Sequence, residues 1–193
     1  MTIQTVTPAD LSTVVRARLH QVETVLDVGC AYGPQAWVPY STCICLEPQP
    51  YFFDILTRDY GHDPRCRLLH GSWQDVVGQF APNSVDVVTA FDSIEHMTKA
   101  DGLLFLEQAQ VIARQSVMVS TPLGFYPQNY DDPSLTINGV PYLHWETHLS
   151  GWTPNDFGSD WDFIIAPDVY GNDGNGNLLS ERMGILWAFW EKR

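Results

Sequence analysis

The chain carries little positive charge. Only two of its 193 residues are lysine, and ten lysines and arginines are set against 23 aspartates and glutamates, so the formal net charge is −13. Binding to DNA or RNA depends largely on cationic side chains that neutralise phosphates. The sequence has no stripe of such side chains, so we expect no nucleic-acid partner.

Long apolar segments are also absent. No run approaches the roughly 20 residues that span a bilayer, and the N-terminus lacks the basic region and apolar block of a secretory signal. A hydrophobic content of 45% is enough for one domain with a substantial core. We therefore predict no membrane association, a cytoplasmic location and a single domain over residues 1–193.

Metal-binding patterns are scarce as well. The cysteines Cys30, Cys43, Cys45 and Cys66 include no second pair at the spacing of a zinc site. The Asn- and Gly-rich stretch at 171–177 resembles a calcium loop, but it lacks the terminal glutamate and the flanking helices. We predict buried apolar thiols, a turn at 171–177 and no metal site.

The chain does contain an alternation of strand and helix patterns. Continuous apolar runs predict strands buried on both faces at about 24–28, 42–46, 66–70, 84–90, 116–120, 162–166 and 184–190. Helix-start signals and apolar periodicity predict helices at about 7–20, 34–39, 49–60 and 98–113. This order predicts an α/β fold built on a mostly parallel sheet.

The most informative segment is 24–33, Thr-Val-Leu-Asp-Val-Gly-Cys-Ala-Tyr-Gly. Small residues follow a β-branched strand directly, and Glu47 ends the next predicted strand. In a strand–loop–helix–strand unit, such a loop lets a ligand approach the backbone, and the acid accepts hydrogen bonds from ribose hydroxyls. The pattern therefore predicts a site for a nucleoside cofactor.

The spacing fits either a dinucleotide or S-adenosylmethionine (SAM). The dinucleotide pattern G-x-G-x-x-G is incomplete because Gly29, Ala31 and Gly33 form G-x-A-x-G, and Pro34 has no amide to offer a pyrophosphate. Asp27, at the loop entrance, would repel a phosphate but suits an ammonium group. Since SAM carries an ammonium and a sulfonium and no phosphate, the charges favour SAM.

Four segments, in this order, resemble motifs of the class I SAM-dependent methyltransferases. They are Val25–Gly33 (motif I), Leu46–Pro48 (the motif II acid), His70–Trp73 (the turn beside adenine) and Ser84–Met97 (motif IV). The pair Glu95-His96 within the last segment is common in the small-molecule members. The likeness covers about residues 20–125 and departs at Ala31, where the family usually has glycine.

The resemblance implies a Rossmann-like, doubly wound sheet of seven strands. Most of these strands are parallel, and the last one, at 184–190, is antiparallel. Within a single domain over 1–193, residues 1–120 would form the SAM-binding part. Residues 121–193 would supply the substrate-side loops and the last two strands.

The resemblance also implies which residues bind the donor. Asp27 would interact with the ammonium group of SAM, unless it only caps the loop. Glu47 would hold the ribose hydroxyls, and Trp73 would stack on adenine, unless it belongs to the core. The full predicted set is Asp27, Gly29, Cys30, Ala31, Gly33, Glu47, Pro48, Gln49, Ser72, Trp73, Asp92 and Ser93.

Catalysis of methyl transfer consists mostly of holding the acceptor in line with the methyl group, and a hydroxyl acceptor also needs a base. His96 is the first candidate for this base, and His148 and His144 are the others. The alternative for His96 is a helix-start residue bonded to backbone. The aromatic-rich loop at 121–147 is predicted to form a substrate wall or lid, unless it closes the core.

The predicted function is methyl transfer from SAM to a small-molecule acceptor, such as a sugar or another hydroxyl or amine, with S-adenosylhomocysteine (SAH) as product. Two alternatives stay open, a non-catalytic SAM-binding partner protein and an NAD-dependent oxidoreductase. The predicted partner is thus a small molecule, and the chain acts as a monomer or a homodimer.

Overall fold

The computed structural model describes residues 1–130, 134, 136–137, 140–141 and 144–193. The strands are β1 Ile3–Thr5, β2 Val22–Val28, β3 Tyr40–Glu47, β4 Cys66–His70, β5 Val85–Phe91, β6 Ala113–Pro122, β7 Thr136–Ile137, β8 Val140–Pro141, β9 Trp161–Asn172 and β10 Leu178–Glu191. Eight of them form one sheet in the order β1-β9-β10-β6-β5-β2-β3-β4, and β7 pairs with β8. Part of the predicted substrate loop at 121–147 lies outside the described residues.

Parallel pairing dominates the sheet. β2 is parallel to both β3 and β5, β3 is parallel to β4, and β5 is parallel to β6. β10 is antiparallel to its two neighbours, with Leu186 opposite Thr121 of β6 and opposite Ile165 of β9. The predicted Rossmann-like α/β sheet, mostly parallel with an antiparallel last strand, is therefore confirmed.

The sheet has one strand more than the seven predicted. β1 adds to the edge of the sheet, where Ile3–Thr5 pairs in parallel with Phe163–Ile165 of β9. All three residues of β1 are exposed. Because a strand without a buried face has no apolar run or alternation, no sequence pattern could indicate β1.

The helices are α1 Leu11–Arg16, α2 Pro50–Tyr60, α3 Trp73–Val76 and α4 Lys99–Ile112. α2 and α4 lie where they were predicted. α1 is shorter than the predicted helix at 7–20, because Thr7 and Asp10 close a separate turn through a hydrogen bond from the Thr7 hydroxyl to the Asp10 carboxylate (2.6 Å). The helix starts only after this turn.

The predicted helix at 34–39 is wrong. The Gln35 side chain accepts hydrogen bonds from the amides of Trp37 (2.7 Å) and Val38 (2.8 Å) and donates one to the Val38 carbonyl (3.0 Å). The backbone groups that a helix would pair with one another are thus bonded to a side chain. The segment between β2 and β3 is irregular as a result.

The core covers both faces of the sheet. One cluster packs under α4 and includes Phe105, Trp152 and Phe163. Gly102 of α4 permits this packing, because a Cβ there would lie 2.8 Å from a ring carbon of Trp152. The second cluster lies under α1 and α2 and includes Val15 and Leu56.

The cysteines and the Asn-rich stretch also have structural roles. Cys30, Cys43 and Cys45 are buried in the second cluster, and the sulfurs of Cys43 and Cys45 lie 3.6 Å apart on one face. Asp173 accepts hydrogen bonds from the amides of Asn175 and Asn177 and so closes the turn between β9 and β10.

The carboxyl ends of the central strands meet at one edge of the sheet. β2 ends at Val28, β3 at Glu47 and β5 at Phe91, and these three strands are neighbours. In open α/β sheets this edge is where ligands bind. Among the described residues, no helix has the length and hydropathy needed to cross a bilayer.

Candidate functional site

A cavity of about 470 Å³ opens at this edge. It is lined by the loops that follow β2, β3, β4 and β5 and by residues after β8. The lining residues are Val28, Gly29, Ala31, Tyr32, Leu46, Glu47, Pro48, Phe52, Ser72, Trp73, Gln74, Asp92, Ser93, His96, Met97, Thr98, Asp101, Trp145, Glu146 and Leu149.

The loop after β2 is shaped by two residues with positive φ. Gly29 has φ 74° and Ala31 has φ 50°. A Cβ on Gly29 would clash with the Ser93 hydroxyl and lie 2.9 Å from the Ser93 Cβ, so only glycine fits there. The amides of Gly29 and Cys30 donate to the Leu46 carbonyl at 2.9 and 3.2 Å, which ties this loop to the end of β3.

Glu47 lies beside this loop. Its two carboxylate oxygens accept hydrogen bonds from the amides of Ala31 and Gln49, each at 2.8 Å. Burial raises the pKa of Glu47 to about 7. Each oxygen of an ionised carboxylate has a second lone pair, so Glu47 can accept two further hydrogen bonds from vicinal hydroxyls in the cavity.

Asp27 lies beneath the loop and does not line the cavity. Its carboxylate accepts hydrogen bonds from the Gln35 amide and the Thr89 hydroxyl, each at 2.8 Å. Burial raises its pKa to about 7. Asp27 therefore holds the irregular segment after the loop against β5, which is the capping role considered in the sequence.

The predicted adenine side contains Pro48, Ser72 and Trp73. Trp73 is 4% exposed, its indole packs edge-on against Phe105, and its Nε1 donates to Gln108 (2.6 Å). The hydroxyl of Ser72 caps α3 together with Asp75. Most of the Trp73 ring thus belongs to the core, and only a small part of it faces the cavity.

Asp92 and Ser93 follow β5 directly. Asp92 has φ 47° and lines the cavity, and desolvation raises the pKa of its carboxyl group to about 6. Ser93 is buried against Gly29. These two residues bring the end of β5 to the loop after β2.

Two histidines form a pair at the other side of the cavity. The Nδ1 atom of His96 lies 3.2 Å from the Thr147 carbonyl, and the Nδ1 atom of His148 lies 2.9 Å from the Tyr126 carbonyl. Their ring centroids are 4.7 Å apart, at 80°. Burial, together with the neighbouring His148, lowers the pKa of His96 to about 4, and burial also lowers the pKa of His148.

The structure divides the predicted site residues into two groups. Those that line the cavity are Gly29, Ala31, Glu47, Pro48, Ser72, Trp73, Asp92, Ser93 and His96. Those that do not line it are Asp27, Cys30, Gly33, Gln49 and His148.

Several cavity residues were not predicted. Tyr32 and Phe52 meet edge-on at 5.7 Å between ring centroids, and Trp145, Glu146 and Leu149 close the opposite side. Tyr32 lies inside the G-x-A-x-G loop, and this position is a signal in the sequence; in the structure its side chain is 63% exposed. Trp145 and Glu146 belong to the predicted substrate loop at 121–147, whereas Phe52 and Leu149 reach the cavity only through folding, so no local pattern indicates them.

Comparisons with known proteins bear on this site. The methyltransferase-domain family matches residues 26–119. A putative methyltransferase from Bacillus halodurans is similar in structure (11% identity, 95% of this chain and 97% of that chain, TM-score 0.60). The N-terminal domain of EvdMO1, solved with SAH bound, is also similar (12% identity, 96% and 81%, TM-score 0.55).

A third similar structure is phosphoethanolamine N-methyltransferase 2 of Haemonchus contortus, in complex with phosphomonomethylethanolamine and SAH (12% identity, 95% of this chain and 52% of that chain, TM-score 0.60). The chain spans about half the length of this protein. No curated protein matches the chain in sequence.

The sheet order with its antiparallel last strand, and the loop and acid beside the cavity, define a Rossmann-like methyltransferase fold. The match runs from within β2 to within β6 and includes the loops after β2, β3, β4 and β5 that line the cavity. Residues 26–119, just under half of the chain, match the methyltransferase-domain family, and the whole fold is similar to that of the methyltransferases named above.

Proposed function

We propose that this protein is a SAM-dependent methyltransferase, which transfers the methyl group of SAM to a hydroxyl or amine of a small-molecule acceptor. The observation that carries the proposal is that one cavity is lined both by the donor loop, at Gly29 and Glu47, and by His96 and Trp145. Donor and acceptor can therefore meet without leaving this space. Its volume of about 470 Å³ suits small ligands.

The residues present fit the donor. The backbone at Gly29 leaves room that a Cβ would fill, and the carboxylate of Glu47 has free lone pairs towards the cavity. In the proposal Glu47 accepts the ribose hydroxyls, Pro48, Ser72 and Trp73 flank the base, and Asp92 and Ser93 face the methionine portion. When bound, SAM supplies an electrophilic methyl group on a sulfonium.

Supporting residues complete the proposed donor site. Asp27, Cys30, Gly33 and Gln49 do not face the cavity, and we assign them to holding the loops that do. Gln49, for example, is buried, caps α2 and donates to Glu47. Asp27 acts on the donor only through the segment that it fixes.

The proposed catalytic residues are His96 and His148. A carbonyl oxygen only accepts hydrogen bonds, so the Nδ1 atom of each ring carries its proton. The lowered pKa keeps His96 uncharged at neutral pH, which leaves the lone pair of its Nε2 free. His96 lines the cavity and takes the proton of the acceptor, while His148 packs against it and fixes its orientation.

We assign donor binding to residues 1–120 and acceptor binding to residues 121–193 of a single domain. Support comes from Trp145 and Leu149, which lie in the second part and line the cavity opposite the donor loop. A cytoplasmic location and a monomeric or homodimeric state stay predictions.

The test is transfer of a radiolabelled methyl group from SAM to a panel of small hydroxyl and amine compounds. His96→Ala should lower turnover about 100-fold or more, because a positioned base contributes about that much. Calorimetry should show SAH affinity unchanged within about twofold, since His96 is not assigned to the donor.

His62→Ala, at an exposed histidine, is the matched control and should retain full turnover. Unchanged turnover in His96→Ala would remove this residue from the mechanism. Transfer to none of the small compounds would overturn the proposed acceptor class.

A further inference from the structure

Three potential ligand groups converge at the histidine pair. Glu95, His96 and His148 each offer one ligand atom, a carboxylate oxygen or a ring nitrogen, and all three atoms lie within 4.8 Å of one another. Glu95 and His148 are buried, and His96 is half-buried at the cavity wall. The Glu95 carbonyl accepts the amides of Leu149 (2.8 Å) and Ser150 (3.1 Å), which fixes the segment carrying His148 beside Glu95.

Both histidines are oriented as metal ligands usually are. Metal-bound histidines commonly donate their second ring N–H to a carbonyl or carboxylate, which sets the tautomer. Here the Thr147 and Tyr126 carbonyls accept from the two Nδ1 atoms. Each Nε2 is therefore the nitrogen with a free lone pair.

Glu95 supplies an independent observation. It is 2% exposed, and its Oε2 atom is buried without a hydrogen-bond partner. A buried carboxylate oxygen without a partner is costly, and such groups in native structures call for an explanation. Among the described residues, the charged groups that act on this carboxyl are the acids Asp92 and Glu146, so no protein cation balances it when it is ionised, and the Thr121 hydroxyl beside it is likewise buried without a well-formed hydrogen bond.

We propose that Glu95, His96 and His148 bind one divalent transition-metal ion, with Zn²⁺ as the best-suited ion. Two imidazoles and one carboxylate are a donor set that binds zinc and its neighbours in the first transition row. Ligand atoms around tetrahedral zinc lie roughly 3.4 Å apart, so the side chains close slightly around the ion. Three protein ligands would leave a fourth position for water or a substrate atom.

The consequence for the acceptor rests on the proposed function. With the ion bound, His96 acts on an acceptor hydroxyl through the ion, which lowers the hydroxyl pKa so that the proton leaves to water. The acceptor class is then an oxygen nucleophile. The ion-binding site itself is independent of this step and can be tested without donor or acceptor.

The experiment titrates the full chain, stripped of metal with a chelator, with Co²⁺ and then with Zn²⁺. Nitrogen and oxygen ligands give Co²⁺ visible absorption bands, whereas thiolates add intense near-ultraviolet bands. We expect the protein to bind one equivalent of Co²⁺, with absorption bands in the visible range and none from thiolates. Added Zn²⁺ should displace the Co²⁺ and remove these bands. Glu95→Gln and His148→Ala should each weaken binding more than tenfold.

Two controls keep the outcome clear. Cys45→Ser removes a thiol from the buried cysteine cluster, and His62→Ala removes an exposed imidazole, and both should retain the site. SAH binding reports whether each variant is folded. If Glu95→Gln does not fold, the metal affinity of His148→Ala alone decides the test.

Failure of the wild-type protein to bind one equivalent of Co²⁺ would overturn the proposal. Glu95→Gln and His148→Ala variants that bind Co²⁺ as tightly as the wild type would also overturn it. Bands lost only in Cys45→Ser would place the ion at the thiols and overturn it as well. None of these results would alter the assignment of His96 as a base in the ion-free protein. An inactive but metal-binding protein would instead contradict the proposed function alone.

Discussion

At the scale of single residues, the cavity is built where the backbone adopts a rare conformation. Gly29, Ala31 and Asp92 all have positive φ, and all three line the cavity. Ala31 and Asp92 are not glycine, so the positive φ of each of these two residues destabilises the fold by roughly 1–3 kcal/mol unless the surroundings compensate. Such a concentration of strain is typical of a ligand site.

We predict that Gly29→Ala weakens SAH binding at least tenfold and lowers the free energy of unfolding by about 1–3 kcal/mol. The added methyl group would clash with Ser93 at a φ that disfavours any side chain. Calorimetry with SAH and urea unfolding measure the two effects. Gly78→Ala, where a Cβ meets nothing within 4 Å, should change neither; equal effects in both variants would contradict the prediction.

The sequence predicts which strand ends carry site residues better than it predicts where their side chains point. Glu47 and Ser93 line the cavity as expected, whereas Asp27 and Gln49 lie behind it. A side chain one position along a strand points to the other face, and the bonds that then capture it, such as Thr89 to Asp27, join distant parts of the chain. Local spacing contains no information about such a partner.

At the scale of elements, buried strands are predictable and exposed or side-chain-stabilised segments are not. The apolar runs at β2, β3 and β5 place these strands within a few residues. The proline and short apolar stretch at 34–39 favour a helix. In the structure the Gln35 side chain instead accepts hydrogen bonds from the amides of Trp37 and Val38, which a helix would use. β1 has no buried face at all.

We predict that Gln35→Ala lowers the free energy of unfolding by about 1–3 kcal/mol, because it removes the acceptor of two backbone amides. Hydrogen exchange at the amides of Trp37 and Val38 should accelerate, while exchange in β5 should stay slow. Gln79→Ala, at an exposed position, serves as the control. Unchanged exchange at Trp37 and Val38 would mean that other contacts hold the segment.

At the scale of the whole molecule, the acidic chain buries carboxyl groups next to the donor site. Groups of three elements act on the Asp27 carboxyl: it accepts hydrogen bonds from Thr89 of β5 and from the Gln35 amide of the irregular segment, and Cys45 and Glu47 of β3 act on it electrostatically. None of these groups is a cation. Burial therefore dominates and raises the pKa of Asp27 from 3.8 to about 7.

This raised pKa predicts how stability changes with pH. Between its unfolded pKa and about 7, Asp27 binds a proton in the folded state but not in the unfolded chain, so its contribution to stability decreases as the pH rises and levels off above about 7. Asp27→Asn lacks this dependence. Relative to the variant, the unliganded wild type should lose roughly 3 kcal/mol between about pH 4.5 and about pH 7.5. Urea unfolding of both proteins across this range measures the difference. A difference that stays constant, or that grows in favour of the wild type, would show that Asp27 is ionised in the fold, which would require a cation that none of these three elements provides.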